Sequence, residues 1–279
     1  MKIDSRTRSI SKKLSNIVNE RNTTYQNVLT EFFLERLLAR LVLNSKLKSN
    51  LIFKGGYVGY KIYYSQRYTV DLDALLMNYD LLSCAMLIKE SVKNDIDDHV
   101  WFEFESEANI RAQLEYGGYR MTFRAGIGIR PEKLNQCQII NLDIAIGDVI
   151  VSLPTLRETK LLLEEKSLSW FVYPVESMIA EKLHVIVARG AHNSRSKDIY
   201  DICLFFPQAN SELLRSSIKL CFLSRETNVP NDISRFLSEL DYSLLERGWI
   251  SALSSTSKNI TFRECIKMII KYFRKLGDI

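Results

Sequence analysis

The sequence predicts an α+β fold of mixed α/β type, with a central sheet, two N-terminal helices and a helical C-terminal lobe. Three observations predict it. Apolar residues recur at helical spacing up to Leu41, alternate along short segments between Leu51 and Ile150, and return to helical spacing after Pro174. A chain of 279 residues can bury a substantial core, and 46% hydrophobic with 25% charged residues suits a soluble globular protein without low-complexity segments.

Ile10, Leu14, Ile17 and Val18 mark the first helix. After a break at 21–24, Val28, Phe32, Leu34, Leu37, Leu38 and Leu41 mark the second, and both read as amphipathic. Leu51, Ile52 and Phe53 form an apolar run that stops at Gly55 and Gly56, and a helix over 57–64 completes a strand, glycine turn and helix. From Tyr68 to Leu76, Val70, Leu72 and Ala74 share one strand face while Asp71 and Asp73 share the other. Asp80 caps a helix carrying Leu82, Met86, Leu87 and Ile88, and VWFEFES, YRMTFRAGIGI and QIINLDIAIGDVI read as further strands.

Pro174 suits the first turn of a helix through VESMIAEKLHVIVARG, which Arg189 and Gly190 stop. A second helix starts near Asn193 or Ser194 with SKDIYDICLFF, and helical spacing continues through Leu213, Ile218, Phe236, Leu240, Ile266, Ile269 and Ile270. The chain therefore divides near Tyr173 into a sheet-containing lobe, 1–173, and a helical lobe, 174–279.

The net charge of +5 is modest, and the basic residues form no dense run, which permits an anionic partner without specifying one. Five scattered cysteines with no CxxC pair give no zinc or thiol-redox pattern and fit a reducing cytosol. The stretch MKIDSRTRSISKKL lacks the apolar core of a signal peptide, and no apolar run is long enough to span a bilayer, so a cytoplasmic protein without membrane anchoring is expected.

Two aspartates on one strand face lie roughly 7 Å apart at Cα, twice the rise per residue. Unpaired they repel; bridged by Mg²⁺ they become a hard oxygen site that takes a nucleotide's phosphates as its remaining ligands. Asp143 in NLDIAIGD, with Leu142 and Ile144 turned to the core, is the candidate third carboxylate of a two-metal site. Gly55 and Gly56, following Lys54, let the backbone approach phosphate oxygens because no Cβ blocks them. Arg67 and Thr69 precede the aspartates, where a guanidinium binds phosphate and a hydroxyl orients a carboxylate. For Asp71 and Asp73 the competing reading is a solvated strand face, and for Lys182 and Asp198 a helix–helix salt bridge. His184 and His192 are assigned no chemistry. Tyr57 is the one aromatic near the turn with a possible base-stacking role, against a default of core packing.

FKGGYVGYKIYYSQRYTVDLDALL, INLDIAIGD, YPVESMIAEKLHVIVARG and NSRSKDIYDICLF, in that order, resemble the successive motifs of the nucleotidyltransferase toxins of the AbiE/AbiG abortive-infection type. The resemblance spans about Leu14 to about Phe206. It implies a DNA polymerase β-like nucleotidyltransferase fold and a toxin of a bacterial two-gene toxin-antitoxin system, with a cognate antitoxin encoded alongside. It makes Asp71 and Asp73 metal ligands, Gly55 and Gly56 the phosphate-side turn, with Lys54 beside it in the nucleotide-binding set, Lys182 a phosphate-binding lysine, and Asp198 the acidic residue of the last motif. The helical lobe is expected to complete the active site. Where the wider fold commonly carries a serine after the first glycine, this chain has Gly56 and then Tyr57.

The expected reaction is Mg²⁺-dependent transfer of a nucleotide from a nucleoside triphosphate to an acceptor hydroxyl with loss of pyrophosphate, Asp198 orienting Lys182 or acting as general base. The acceptor is an RNA, the tRNA 3′ end favoured, or a protein. The alternatives are a non-catalytic triphosphate-binding module that signals to a partner, and a purely structural partner protein.

Overall fold

The fold is seen in a computed structural model that describes residues 4–111, 117–253 and 260–279. It is mixed α/β, with a seven-stranded sheet and eleven α-helices among the described residues. The chain forms two compact units: Met1–Val58, Tyr68–Gly147 and Leu156–Val172 make the first, and Gly59–Arg67, Asp148–Thr155 and Tyr173–Ile279 the second.

The first unit opens with α1 (Ser5–Arg21), capped by Asp4, and α2 (Tyr25–Leu43), capped by Thr24. Its strands are β1 (Leu51–Lys54), β2 (Asp71–Leu76), β3 (Val100–Arg111), β4 (Gly117–Ile127), β5 (Gln138–Ile146), β6 (Thr155–Lys160) and β7 (Ser167–Val172), in the order β3-β4-β5-β2-β1-β7-β6. The β2–β5 and β1–β7 pairs are parallel, whereas β1–β2, β3–β4 and β4–β5 are antiparallel. Met121, Phe123, Ile140, Leu142, Ile144, Leu72 and Ala74 are buried on one sheet face.

α2 departs from the amphipathic expectation: Glu31, Glu35, Arg36 and Arg40 are buried along with its apolar residues. Such burial is tolerated when each charge has an opposite partner. Arg40 donates to both Asp98 oxygens at 2.7 and 2.9 Å and to the Val100 carbonyl at 2.6 Å. Arg36 binds Glu35 and Glu164, and Glu35 accepts the Leu162 N–H. These charges tie α2 to both ends of the sheet.

Other local expectations shift. β2 begins at Asp71, leaving Val70 66% exposed outside it. The helix after the glycines, α4 (Gly55–Lys61), ends before Tyr64, which is exposed at φ +55°. In α5 (Leu81–Ser91), Asp80 caps as expected, but Leu82 and Met86 face outward and Cys84, Ala85 and Ile88 are buried. Neither α3 (Ser45–Asn50), polar apart from Leu47, nor β6 and β7, short and interrupted by polar residues, carries a sustained period. Tyr57 is buried against Trp170, the core-packing role.

The second unit is built of α6 (Val175–Arg189), α7 (Ser196–Phe205), α8 (Ser211–Ser224), α9 (Ile233–Glu239), α10 (Ser243–Ala252) and α11 (Phe262–Leu276). α6 packs on α7 and α8, and α7 on α10 and α11. α7 starts two to three residues later than the spacing suggests. The last helix, α11, has a full capping box at Thr261 and Glu264. Its apolar face, Phe262, Cys265, Ile266, Ile269, Phe273 and Leu276, is buried, while Arg263, Lys267, Lys271, Arg274 and Lys275 are exposed. Among the described residues no helix is long and apolar enough to cross a membrane.

Candidate active site

In β2 burial alternates, with Leu72 and Ala74 fully buried and Asp71 and Asp73 half-buried on the opposite face. Sheet register then assembles a polar row. Asp73 lies opposite Lys54 of β1 on one side and Asp143 of β5 on the other, and Asp143 lies opposite Arg120 of β4. Directly opposed residues share a face, so Lys54, Asp73, Asp143 and Arg120 cross four strands side by side. Asp71 belongs to the next row with Asn141 and Thr122.

Arg120 Nε and Nη2 donate to the two Asp143 oxygens at 2.7 and 2.6 Å, and Nη2 lies 3.9 Å from Asp71 Oδ2. Hydrogen bonding to Asp143 raises the Arg120 pKa against the opposing effect of burial, and the charges of Asp143, Asp71 and Asp73 add to it. Asn141 Nδ2 donates to Asp71 Oδ1 at 3.0 Å, and Asn141 Oδ1 accepts from Thr122 Oγ1 at 3.1 Å. Thr69 Oγ1 lies 3.4 Å from the Asp71 carbonyl oxygen as a donor to it.

Gly55 has φ +71°, and a Cβ there would lie 2.0 Å from Asp73 Oδ2 and 2.6 Å from its carboxyl carbon. Only glycine both adopts this backbone readily and leaves room for the carboxylate against it. The glycine pair at the start of α4 and the aspartates of β2 are thus one structural feature.

Asp71 and Asp73 offer hard oxygens on one face, the donors that Mg²⁺ takes from one or two carboxylates beside phosphate oxygens and water. These two residues fit a divalent ion. Among the described residues no three acidic, histidine or cysteine side chains are grouped to hold a metal, and Asp143 is engaged by Arg120.

The family model described as "Nucleotidyl transferase AbiEii toxin, Type IV TA system" matches residues 36–265. The chain belongs to the AbiEii family. No curated protein matches it. The AbiEii match contains every candidate site residue from Lys54 to Asp198, and the family is one of nucleotidyl transferase toxins of type IV toxin-antitoxin systems.

The remaining candidates meet in the second unit. Lys182 Nζ on α6 lies 2.8 Å from both Asp198 Oδ1 and Asp201 Oδ2 of α7, and Arg67 Nη2 lies 3.0 Å from Asp201 Oδ2. Arg195 Nε is 2.8 Å from Asp198 Oδ2, an ion-pair distance without hydrogen-bond alignment. Burial opposes the Lys182 charge, but Asp198 and Asp201 outweigh it and the pKa is raised. Burial likewise opposes the Asp201 carboxylate, but Lys182 and Arg67 prevail and its pKa is lowered. The sequence places Arg67 with the phosphates. The structure makes Asp201 the shared partner of Arg67 and Lys182.

Arg120 and Asn141 were missed. The signal for them was present: YRMTFR alternates Arg120, Thr122 and Arg124 with buried Met121 and Phe123, and INLDI does the same with Asn141 and Asp143. Only the pairing of β4 with β5 shows that the two polar sets touch.

Proposed function

We propose that this AbiEii-family toxin transfers a nucleotide from a nucleoside triphosphate to a hydroxyl of RNA, the tRNA 3′ end being the favoured acceptor, with release of pyrophosphate. The observation that carries the reading is the placement of Asp71 and Asp73 on one sheet face, with the Asp73 carboxylate seated against the backbone of Gly55. A Mg²⁺ ion held by Asp71 and Asp73 supplies charge neutralisation on the phosphoryl oxygens. The backbone at Gly55 and Gly56 admits the phosphates, and Lys54 and Arg120 flank the carboxylates with positive charge. Asn141, beside Asp71 on β5, fixes its orientation. Lys182 and Asp198 act as a positioning pair that holds α6 to α7, and contact of Lys182 with a phosphate requires it to leave two carboxylates.

Support for RNA over a protein acceptor comes from α11. Arg263, Lys267, Lys271 and Lys275 recur every four residues, about 6 Å of rise per step, and the apolar side of the helix is unavailable to a membrane because it is buried. An exposed row of cations suits a phosphate backbone. In this reading the toxin acts in the cytoplasm, and the type IV toxin-antitoxin family supports a cognate antitoxin beside it.

The test is incubation of purified protein with Mg²⁺, total bacterial RNA and each α-³²P-labelled nucleoside triphosphate, alongside Asp73→Asn. Label in RNA that the variant does not produce supports the reading. Label on protein moves the acceptor to a polypeptide. Triphosphate binding without any label favours the non-catalytic module instead.

A further inference from the structure

The third carboxylate of this sheet face, Asp143, is engaged at both oxygens by an arginine. Arg120 grips both oxygens of Asp143 and reaches to 3.9 Å of Asp71, while its side chain stays 40% exposed. A guanidinium carries five N–H donors and does not deprotonate in proteins, so it cannot vacate this position by losing its charge. Two of those donors are used on Asp143. With Lys54 at the other end of the row, the face carries two cations for its three aspartates before any metal binds. The face by itself is therefore one charge negative, and a single divalent ion already over-neutralises it.

We propose that Arg120 stands in for a second metal ion: the site takes one divalent cation on Asp71 and Asp73, while Arg120 holds Asp143 with one edge and offers its remaining donors to a phosphate oxygen. Asp143 is then the anchor of Arg120 and not a metal ligand. The inference rests on the reading of Asp71 and Asp73 as the metal pair. It makes Arg120 a fixed counter-charge built into β4, in a geometry that bidentate carboxylate pairing specifies closely.

Manganese alone, titrated against the full chain and followed by the loss of the free-ion electron paramagnetic resonance signal, tests this without any turnover. The wild type is expected to bind one ion per chain. Arg120→Ala and Arg120→Gln, which alter a part-exposed side chain and are checked for folding by circular dichroism, are expected to bind two. Adding Asp143→Asn to either variant should return the count to one. Two ions in the wild type overturn the inference while leaving Asp71 and Asp73 as ligands. One ion in both wild type and Arg120 variants overturns it also, because the arginine then blocks nothing. No ion in any of these proteins removes the metal reading of Asp71 and Asp73, and the inference with it. A parallel titration with inorganic pyrophosphate in the presence of manganese should show at least tenfold weaker binding in Arg120→Gln.

Discussion

Replacing Gly55 with alanine separates backbone strain from damage to the site. The φ of +71° at Gly55 disfavours an L-residue by about 1–2 kcal/mol. The new Cβ also falls 2.0 Å from Asp73 Oδ2, where ordinary contact begins near 3.4 Å, so the carboxylate must move by more than an ångström. That oxygen is the end of a side chain that can turn, so the collision is relieved mainly by displacing Asp73 and only secondarily by unfolding. Misplacement on this scale lowers a positioned reaction about 100-fold, and disturbance of a metal-supporting group weakens metal binding about 10–100-fold. Gly190→Ala is the control: its φ is +49°, and among the described residues no heavy atom lies within 4 Å of where the new Cβ would stand, so it carries strain alone. Urea melts report the backbone strain of each variant, while manganese affinity and nucleotide transfer should fall only in Gly55→Ala. Wild-type manganese affinity in a folded Gly55→Ala protein would refute the claim that this glycine exists to seat Asp73.

Four further outcomes are expected in the second unit. Lys182→Met leaves Asp198 and Asp201 without their shared cation and should lower stability by about 3–5 kcal/mol in urea melts. Because the Asp201 pKa is lowered on folding, its contribution is present above the ordinary carboxylate pKa and lost as pH falls through the folded value, so Asp201→Asn should flatten the acid limb of the stability curve. His184 is buried, donates through Nε2 to Thr227 at 2.9 Å and faces the Arg225 guanidinium 3.4 Å away at Nδ1, so burial first and Arg225 second lower its pKa from 6.5 to about 4. The neutral ring is the folded form; up to about 3 kcal/mol should be present above pH 6.5 and lost between pH 6.5 and 4, a pH dependence that His184→Gln removes. On α11, Lys267→Glu with Lys271→Glu should weaken RNA binding uniformly across sequences and lower its salt slope by about one for each phosphate contact removed, measured by fluorescence anisotropy at several salt concentrations.

What the sequence displayed and what it hid divide along a physical line. Helices with a sustained apolar period, such as α1 and α6, and strands with clean alternation, such as β4 and β5, were legible because each residue's side is set by its own neighbours. The pairing of Asp71 with Asp73 was legible for the same reason. α2 was misread because its buried Arg36 and Arg40 look like a solvent face until Glu164 and Asp98 arrive from far along the chain. Arg120 and Asn141 were hidden in the same way, since their meaning lies in which strand stands beside them. That dependence has a consequence for the site itself. A slip of one residue between β4 and β5 would send Arg120 and Asp143 to opposite sheet faces, because the side-chain period is two. What prevents the slip is the burial of Met121, Phe123, Ile140, Leu142 and Ile144 on the other side. The apolar residues of these strands therefore specify which charges meet, and a core substitution that loosens register would be felt at the carboxylates before it is felt as unfolding.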